Sequence, residues 1–134
     1  MEKILTVKQL KIKEEIEAHI ASKYPSGNID YMYWKVGITN NEEERKKQII
    51  AKFNKKIKDY NKTVRLKSKR KDEITTLKFW ECKDSGSKTN ALAMEKEFCG
   101  YNMSRCKVQR FHKENSKFVY VFRIPSSILY IESL

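Results

Sequence analysis

A chain of 134 residues with 40% apolar content carries enough material for one domain and a modest core. Its 29 Lys and Arg against 17 Asp and Glu leave a net charge of +12, which calls for a polyanionic partner, DNA or RNA first and an acidic membrane surface next. No apolar run approaches the ~20 residues of a membrane span, and charged residues from Lys8 to Glu15 interrupt any signal-peptide core, so a cytoplasmic location is expected.

Thr6 is placed to cap a helix from about Val7 to Lys23, with Ile12, Ile16 and Ile20 stacked on one side. Pro25-Ser26-Gly27-Asn28 ends it as a turn. Ile29 to Thr39, rich in β-branched and aromatic residues, reads as a strand. Asn40 or Asn41 then caps a long helix reaching about Tyr60, with Glu42, Glu43 and Glu44 favourably placed at its positive end. Ile49, Ile50, Phe53, Ile57 and Tyr60 form its apolar arc. The most basic stretch, Lys62 to Lys71, reads as a loop or a fraying helix end.

Glu73 to Cys82 is a second predicted strand, and Thr89 or Asn90 caps a third helix from Ala91 to about Tyr101. A third strand runs from Phe118 to Ile124, stopped by Pro125. Ile128 to Ile131 is a fourth strand or a helical turn. The fold class is therefore α+β: about three antiparallel strands flanked by helices, in one domain. Residues 1–24 form an N-terminal helical extension, 25–124 the core and 125–134 a tail. The three cysteines, Cys82, Cys99 and Cys106, lack the paired spacings of a zinc ribbon and read as free thiols.

Two charged residues stand out. On a helical wheel Glu95 lies in the middle of the third helix's apolar face, flanked by Met94, Phe98 and Ala91 on one side and Cys99 and Leu92 on the other. An ionised carboxylate there is costly without a cation or several donors. A buried ion pair and a metal ligand both answer that cost. Arg45 lies in the first turn of the second helix, at the edge of its apolar stripe. From there its guanidinium can lean across the strand end or pair with Glu42 or Glu44. Tyr24, Tyr31, Tyr33 and Trp34 supply aromatics for packing, and any tyrosine hydroxyl left on an open face can move a proton.

The block Lys35-Val36-Gly37-Ile38-Thr39-Asn40-Asn41-Glu42-Glu43-Glu44-Arg45 resembles the second half of the GIY-YIG nuclease signature, a strand glycine followed eight residues later by a helical arginine. Its Lys-Val-Gly-Ile-Thr form is similar to the branch common in phage proteins, where a lysine replaces the second tyrosine. The later strand and Ala91-Leu92-Ala93-Met94-Glu95-Lys96 look like the family's third strand and glutamate helix. The first half, Gly-Ile-Tyr on a strand about a dozen residues upstream, is not present as such. Ser22-Lys23-Tyr24 has the distance, Tyr31 and Tyr33 are nearer to Gly37, and Val119-Tyr120-Val121 is a further candidate for the missing edge.

The resemblance implies a Mg²⁺- or Mn²⁺-dependent DNA endonuclease of a kind that phages encode. Glu95 would hold the metal, Arg45 would stabilise the phosphate, and Tyr33, Tyr31 or Tyr24 would be the base. Gly37 would allow close backbone approach, and Lys35 would stand in for the second tyrosine. Duplex DNA would lie on Lys35, Lys62, Arg65, Lys67, Lys69, Arg70, Lys71, Arg105 and Arg110. A homodimer is compatible with this reading. The second reading is a catalytically silent member of the fold that binds nucleic acid or a protein. The third is a basic interaction protein that grips an acidic surface.

Overall fold

The structure is a computed structural model that describes residues 4–101, 103 and 115–134. Helix α1 (Val7–Ala21) begins at Thr6, whose hydroxyl accepts from the Gln9 N–H, while the Gln9 side chain accepts from the Thr6 N–H. That reciprocal capping satisfies two otherwise orphaned donors. Strand β1 (Trp34–Thr39), helix α2 (Glu42–Thr63), strand β2 (Lys78–Asp84), helix α3 (Lys88–Cys99), strand β3 (Phe118–Arg123) and helix α4 (Ser126–Glu132) follow. The fold is α+β, with four helices among the described residues and one antiparallel sheet of order β1-β3-β2. None of these helices is long and apolar enough to cross a membrane.

The last strand in the chain is thus the middle strand of the sheet. Its residues Val119, Tyr120, Val121 and Phe122 are buried on both faces, which is why the run is continuously apolar rather than alternating. Val119 and Val121 join Trp34, Val36 and Ile38 against α1 and α3. Tyr120, Phe122 and Ile124 face Ile49, Phe53 and Ile57 of α2 and Ile128 of α4. Helix α1 belongs fully to the first layer, since Ile12, Ile16 and Ile20 are buried there. Gln9 ties it to α3 by donating to Asn90, whose amide in turn donates to the Ser85 carbonyl.

Three boundaries differ from the sequence reading, each for a backbone reason. The first strand starts at Trp34, not Ile29, and Tyr31–Tyr33 form a 3₁₀ turn. Pro125 has no N–H, so the ladder ends with Ile124 N–H donating to the Tyr33 carbonyl, and residues further back find no strand partner. The second strand starts at Lys78 rather than Glu73, because both backbone groups of Ile74 are held by the Asn54 side chain. Helix α3 starts earlier than expected, with Ser87 rather than Thr89 or Asn90 accepting the capping bond. The tail resolves as a helix, α4.

The basic segment after α2 does not hang free. Asn61 repeats what Asn54 does one stage earlier. Its amide donates to the Lys71 carbonyl and accepts from the Lys71 N–H, at 2.8 and 2.9 Å. The two asparagines, on one side of α2, staple the returning chain along the helix. Replacing Asn61 by Ala should cost about 1–3 kcal/mol, two backbone groups losing their partner. Urea denaturation should report that loss, and limited proteolysis should show faster cutting between Val64 and Lys71 than in the parent. Unchanged cleavage there would mean that the staple does not hold the segment.

Candidate active site

The Gly37–Arg45 block is a strand, a cap and a first helical turn, each fixing the next. Thr39 at the end of β1 exchanges hydrogen bonds with Asn41, its hydroxyl accepting from the Asn41 N–H and donating to the Asn41 carbonyl. Asn41 caps α2 by accepting from the Glu44 N–H at 3.1 Å, and its carbonyl receives the Arg45 N–H. Arg45 is thereby held one turn into α2, directed back over the sheet. Its Nε donates to the Tyr120 hydroxyl at 3.0 Å, and its other arm donates to Gln48. The partner is Tyr120 rather than Glu42 or Glu44.

Tyr120 stands opposite Gly37 in the β1–β3 register. A Cβ at position 37 would collide with the Tyr120 hydroxyl and ring carbons. Gly37 is needed because the tyrosine ring occupies the space of its side chain. The other side of that ring is covered by Trp80, parallel to it at 4.8 Å and 11°. Trp80 reaches this place through an irregularity in β2, where the register shifts between Lys78 and Glu81 and Phe79 adopts φ 56°. The Trp80 indole N–H donates to Glu42, which locks the ring against α2. Tyr120 is therefore clamped on three sides, by Gly37, Trp80 and Arg45.

The tyrosines singled out near Gly37 are placed elsewhere. Tyr31 meets the Tyr101 ring edge-on at 5.1 Å, and Tyr33 lies beneath the Arg123 guanidinium at 5.4 Å. Both pack on the α1–α3 layer, on the opposite face of the sheet from Tyr120. Tyr24 accepts from the Trp34 indole. The structure brings none of the three to Arg45. A sequence signal for Tyr120 existed: an uninterrupted apolar strand is buried on both faces and so belongs in the middle of a sheet, next to the glycine strand.

Glu95 is buried in α3 at 4% exposure, as its place on the apolar face predicts. Helix α3 packs on β1 and β3. Burial pushes the Glu95 carboxyl up to about 6, partly offset by the positive charge of Lys35. Tyr120 is likewise raised above the ordinary phenol range, chiefly by burial, with Arg45 pulling it down and Glu95 pushing it up. Glu95 thus couples electrostatically to Lys35 and Tyr120, although α3 packs on the opposite face of the sheet from the Tyr120 ring and Arg45. Lys35, Arg45 and Tyr120 also line a cleft of about 430 Å³ between the sheet and α2, together with Gln48, Lys52 and Lys56.

Among the described residues, no three His, Cys, Asp or Glu side chains gather as a metal cage. A single buried carboxylate still suits Mg²⁺, which keeps several waters and takes one or two carboxylates plus substrate phosphate oxygens. Of the expected nucleic-acid contacts, Lys62 belongs to the end of α2, Lys67 and Lys69 to an exposed 3₁₀ turn, and Arg65, Arg70 and Lys71 to the segment around it. Arg105 and Arg110 lie outside the described residues. Cys82 carries a free thiol, pushed up to about 12 mainly by burial and so unreactive, whereas Cys99, against expectation, is disulfide-bonded. Compared with known protein families, curated proteins and solved structures, the chain has no match.

The raised Glu95 carboxyl makes a prediction for stability. The folded protein holds this proton more tightly than the unfolded chain, so the stability it confers is complete below the ordinary glutamate range. That stability is lost as pH rises from about 4.5 to about 6. Glu95→Gln should therefore become stabilising relative to the parent across that window, by on the order of 2 kcal/mol. Urea denaturation at a series of pH values measures it. A variant less stable than the parent at pH 7 would instead identify Glu95 as half of a favourable ion pair.

Proposed function

We propose that this chain is a divalent-metal-dependent endonuclease of the GIY-YIG type that hydrolyses DNA phosphodiester bonds, with Tyr120 of β3 supplying the tyrosine missing upstream of Gly37. The observation that carries this reading is the clamp on Tyr120: its ring lies on Gly37 and its hydroxyl accepts from Arg45, eight residues further on. Phe118-Val119-Tyr120 then takes the part of the family's first motif from the far end of the sequence. Tyr120 replaces Tyr33 and Tyr31 as the proposed base.

In this reading Arg45 has two tasks. Its Nε is committed to Tyr120 and one Nη to Gln48, and as a lining residue of the cleft it can use its remaining N–H groups to hold a phosphoryl oxygen and offset charge built up during attack. Arg45 also favours the phenolate, which can accept a proton from attacking water. Glu95 would hold the Mg²⁺ or Mn²⁺ ion, which when bound supplies Lewis-acid polarisation of the phosphate. Lys35 adds a fixed positive charge at the mouth of the same site. With burial raising Tyr120, the fraction in base form grows with pH, so cleavage should accelerate from neutral into alkaline solution.

Relaxation of supercoiled plasmid in Mg²⁺ or Mn²⁺ tests the assignment. Tyr120→Phe keeps the ring on Gly37 and should lose about a hundredfold or more in rate, the size of a general-base contribution. Tyr33→Phe should cut as the parent does. Glu95→Gln should bind DNA but not cut it, and Mg²⁺ should raise the melting temperature of the parent and not of Glu95→Gln. A parent inert with both metals, yet binding DNA, would replace the enzyme by a silent nucleic-acid-binding member of the same fold.

A further inference from the structure

The cleft beside Tyr120 does not end at the reacting groups. It continues along α2, and its walls are chemically uneven: Lys35, Arg45, Lys52 and Lys56 line it against a single carboxylate, Glu132 of α4. Four cations lining about 430 Å³ against one carboxylate give the cleft a positive potential that favours an anion. Arg45, Lys52 and Lys56 lie on one face of α2, spaced seven and four residues apart, so they form a row parallel to the helix axis. From Arg45 to Lys56 the row is about 17 Å long at 1.5 Å per residue. That is the length of about five nucleotides of one strand at ~3.4 Å each.

The end of the row is already occupied. Lys56 Nζ meets the Glu132 carboxylate at 2.8 Å, an ion pair that joins α2 to α4 at the cleft mouth. A carboxylate oxygen on a lysine has the charge and hydrogen-bonding geometry of a phosphate oxygen on the same lysine.

We propose that Lys52 and Lys56 form a backbone track that guides one nucleic-acid strand away from Arg45, and that Glu132 is a built-in phosphate mimic displaced when the strand binds. This rests on the nuclease reading above and adds to it a direction for the strand and two contacts that the basic segment Lys62–Lys71 does not supply. The contacts are to phosphates and carry no sequence preference. The exchange of Glu132 for a phosphate adds an acidic competitor, which lowers affinity for short or poorly seated strands more than for strands that fill the whole row.

Fluorescence anisotropy of a labelled short DNA duplex, titrated with protein over a series of salt concentrations, tests the track. Lys52→Gln with Lys56→Gln should weaken binding and lower the salt slope by about two, one for each phosphate that no longer meets a lysine. Glu132→Gln should tighten binding severalfold, because it removes the competitor and leaves Lys56 in place. Lys52 is exposed, so Lys52→Glu alone tests the track without risk to folding and should weaken binding more than Lys52→Gln. If the parent binds and these variants match it in affinity and slope, the track is wrong while the nuclease reading stands. If Glu132→Gln binds more weakly than the parent, Glu132 is a structural partner of Lys56 and the mimic is wrong. A parent that neither binds nor cuts DNA overturns both.

Discussion

One contact organises this molecule: the ring of Tyr120 lying in the space where Gly37 has no side chain. Cross-strand neighbours in a sheet normally share the room above it, and here one takes it all. The consequence passes to three elements at once. Strand β1 must carry a glycine, β2 must deform to bring Trp80 over the free side of the ring, and α2 must start where Arg45 can reach the hydroxyl. A buried phenol oxygen needs a partner, and Arg45 is the one supplied. The deformation in β2 has a conformational cost, since a bulky residue at positive φ is strained. Stacking of Trp80 on both Tyr120 and Phe122, and its bond to Glu42, offset it.

The charges follow from the same packing. Tyr120 and Glu95 are both driven towards their neutral forms by burial, and each is drawn back by one cation, Arg45 or Lys35. Neither cation is strong enough to undo the desolvation. A group of this kind is poised: a further positive charge entering the cleft favours ionisation of both acids, and a phosphate entering it favours neither. The protein core and its electrostatic site are therefore not separate constructions. Residues that fill the α2 face of the sheet also set the proton affinity of Tyr120 there.

What could be read from the sequence was whatever is local. Ile12, Ile16 and Ile20 announced α1, the arc from Ile49 to Ile57 announced α2, and Glu95 stood out because a charge fell on an apolar stripe; all lie where periodicity put them. Arg45 was legible by its distance from Gly37, though not its partner. Val119-Tyr120-Val121 was legible as a candidate for the missing edge, but not the place of Tyr120 on Gly37, because strand pairing is non-local: alternation tells which side chains share a face and says nothing of which strand lies beside which. Tyr31 and Tyr33 are near Gly37 in sequence, but their place is decided by Pro125, far away along the chain, which ends the ladder at the Tyr33 carbonyl. The start of β2 was likewise hidden, because Ile74 looks like a strand residue and its backbone is taken by a side chain of α2.

The position of β3 has a consequence during synthesis. Strands β1 and β2 do not pair with each other; both wait for the strand that is translated after them. Until residues 118–123 have left the ribosome, the nascent chain carries two open strand edges and closes none of the long loops on which the sheet depends. Such a topology completes its sheet only after β3 is made, and leaves the growing chain open to misassociation until then. It also means that Arg45 is made long before the hydroxyl it will hold. A cationic protein whose Arg45–Tyr120 pair forms only once β3 is made passes through the earlier part of translation, among ribosomal RNA, without that pair in place.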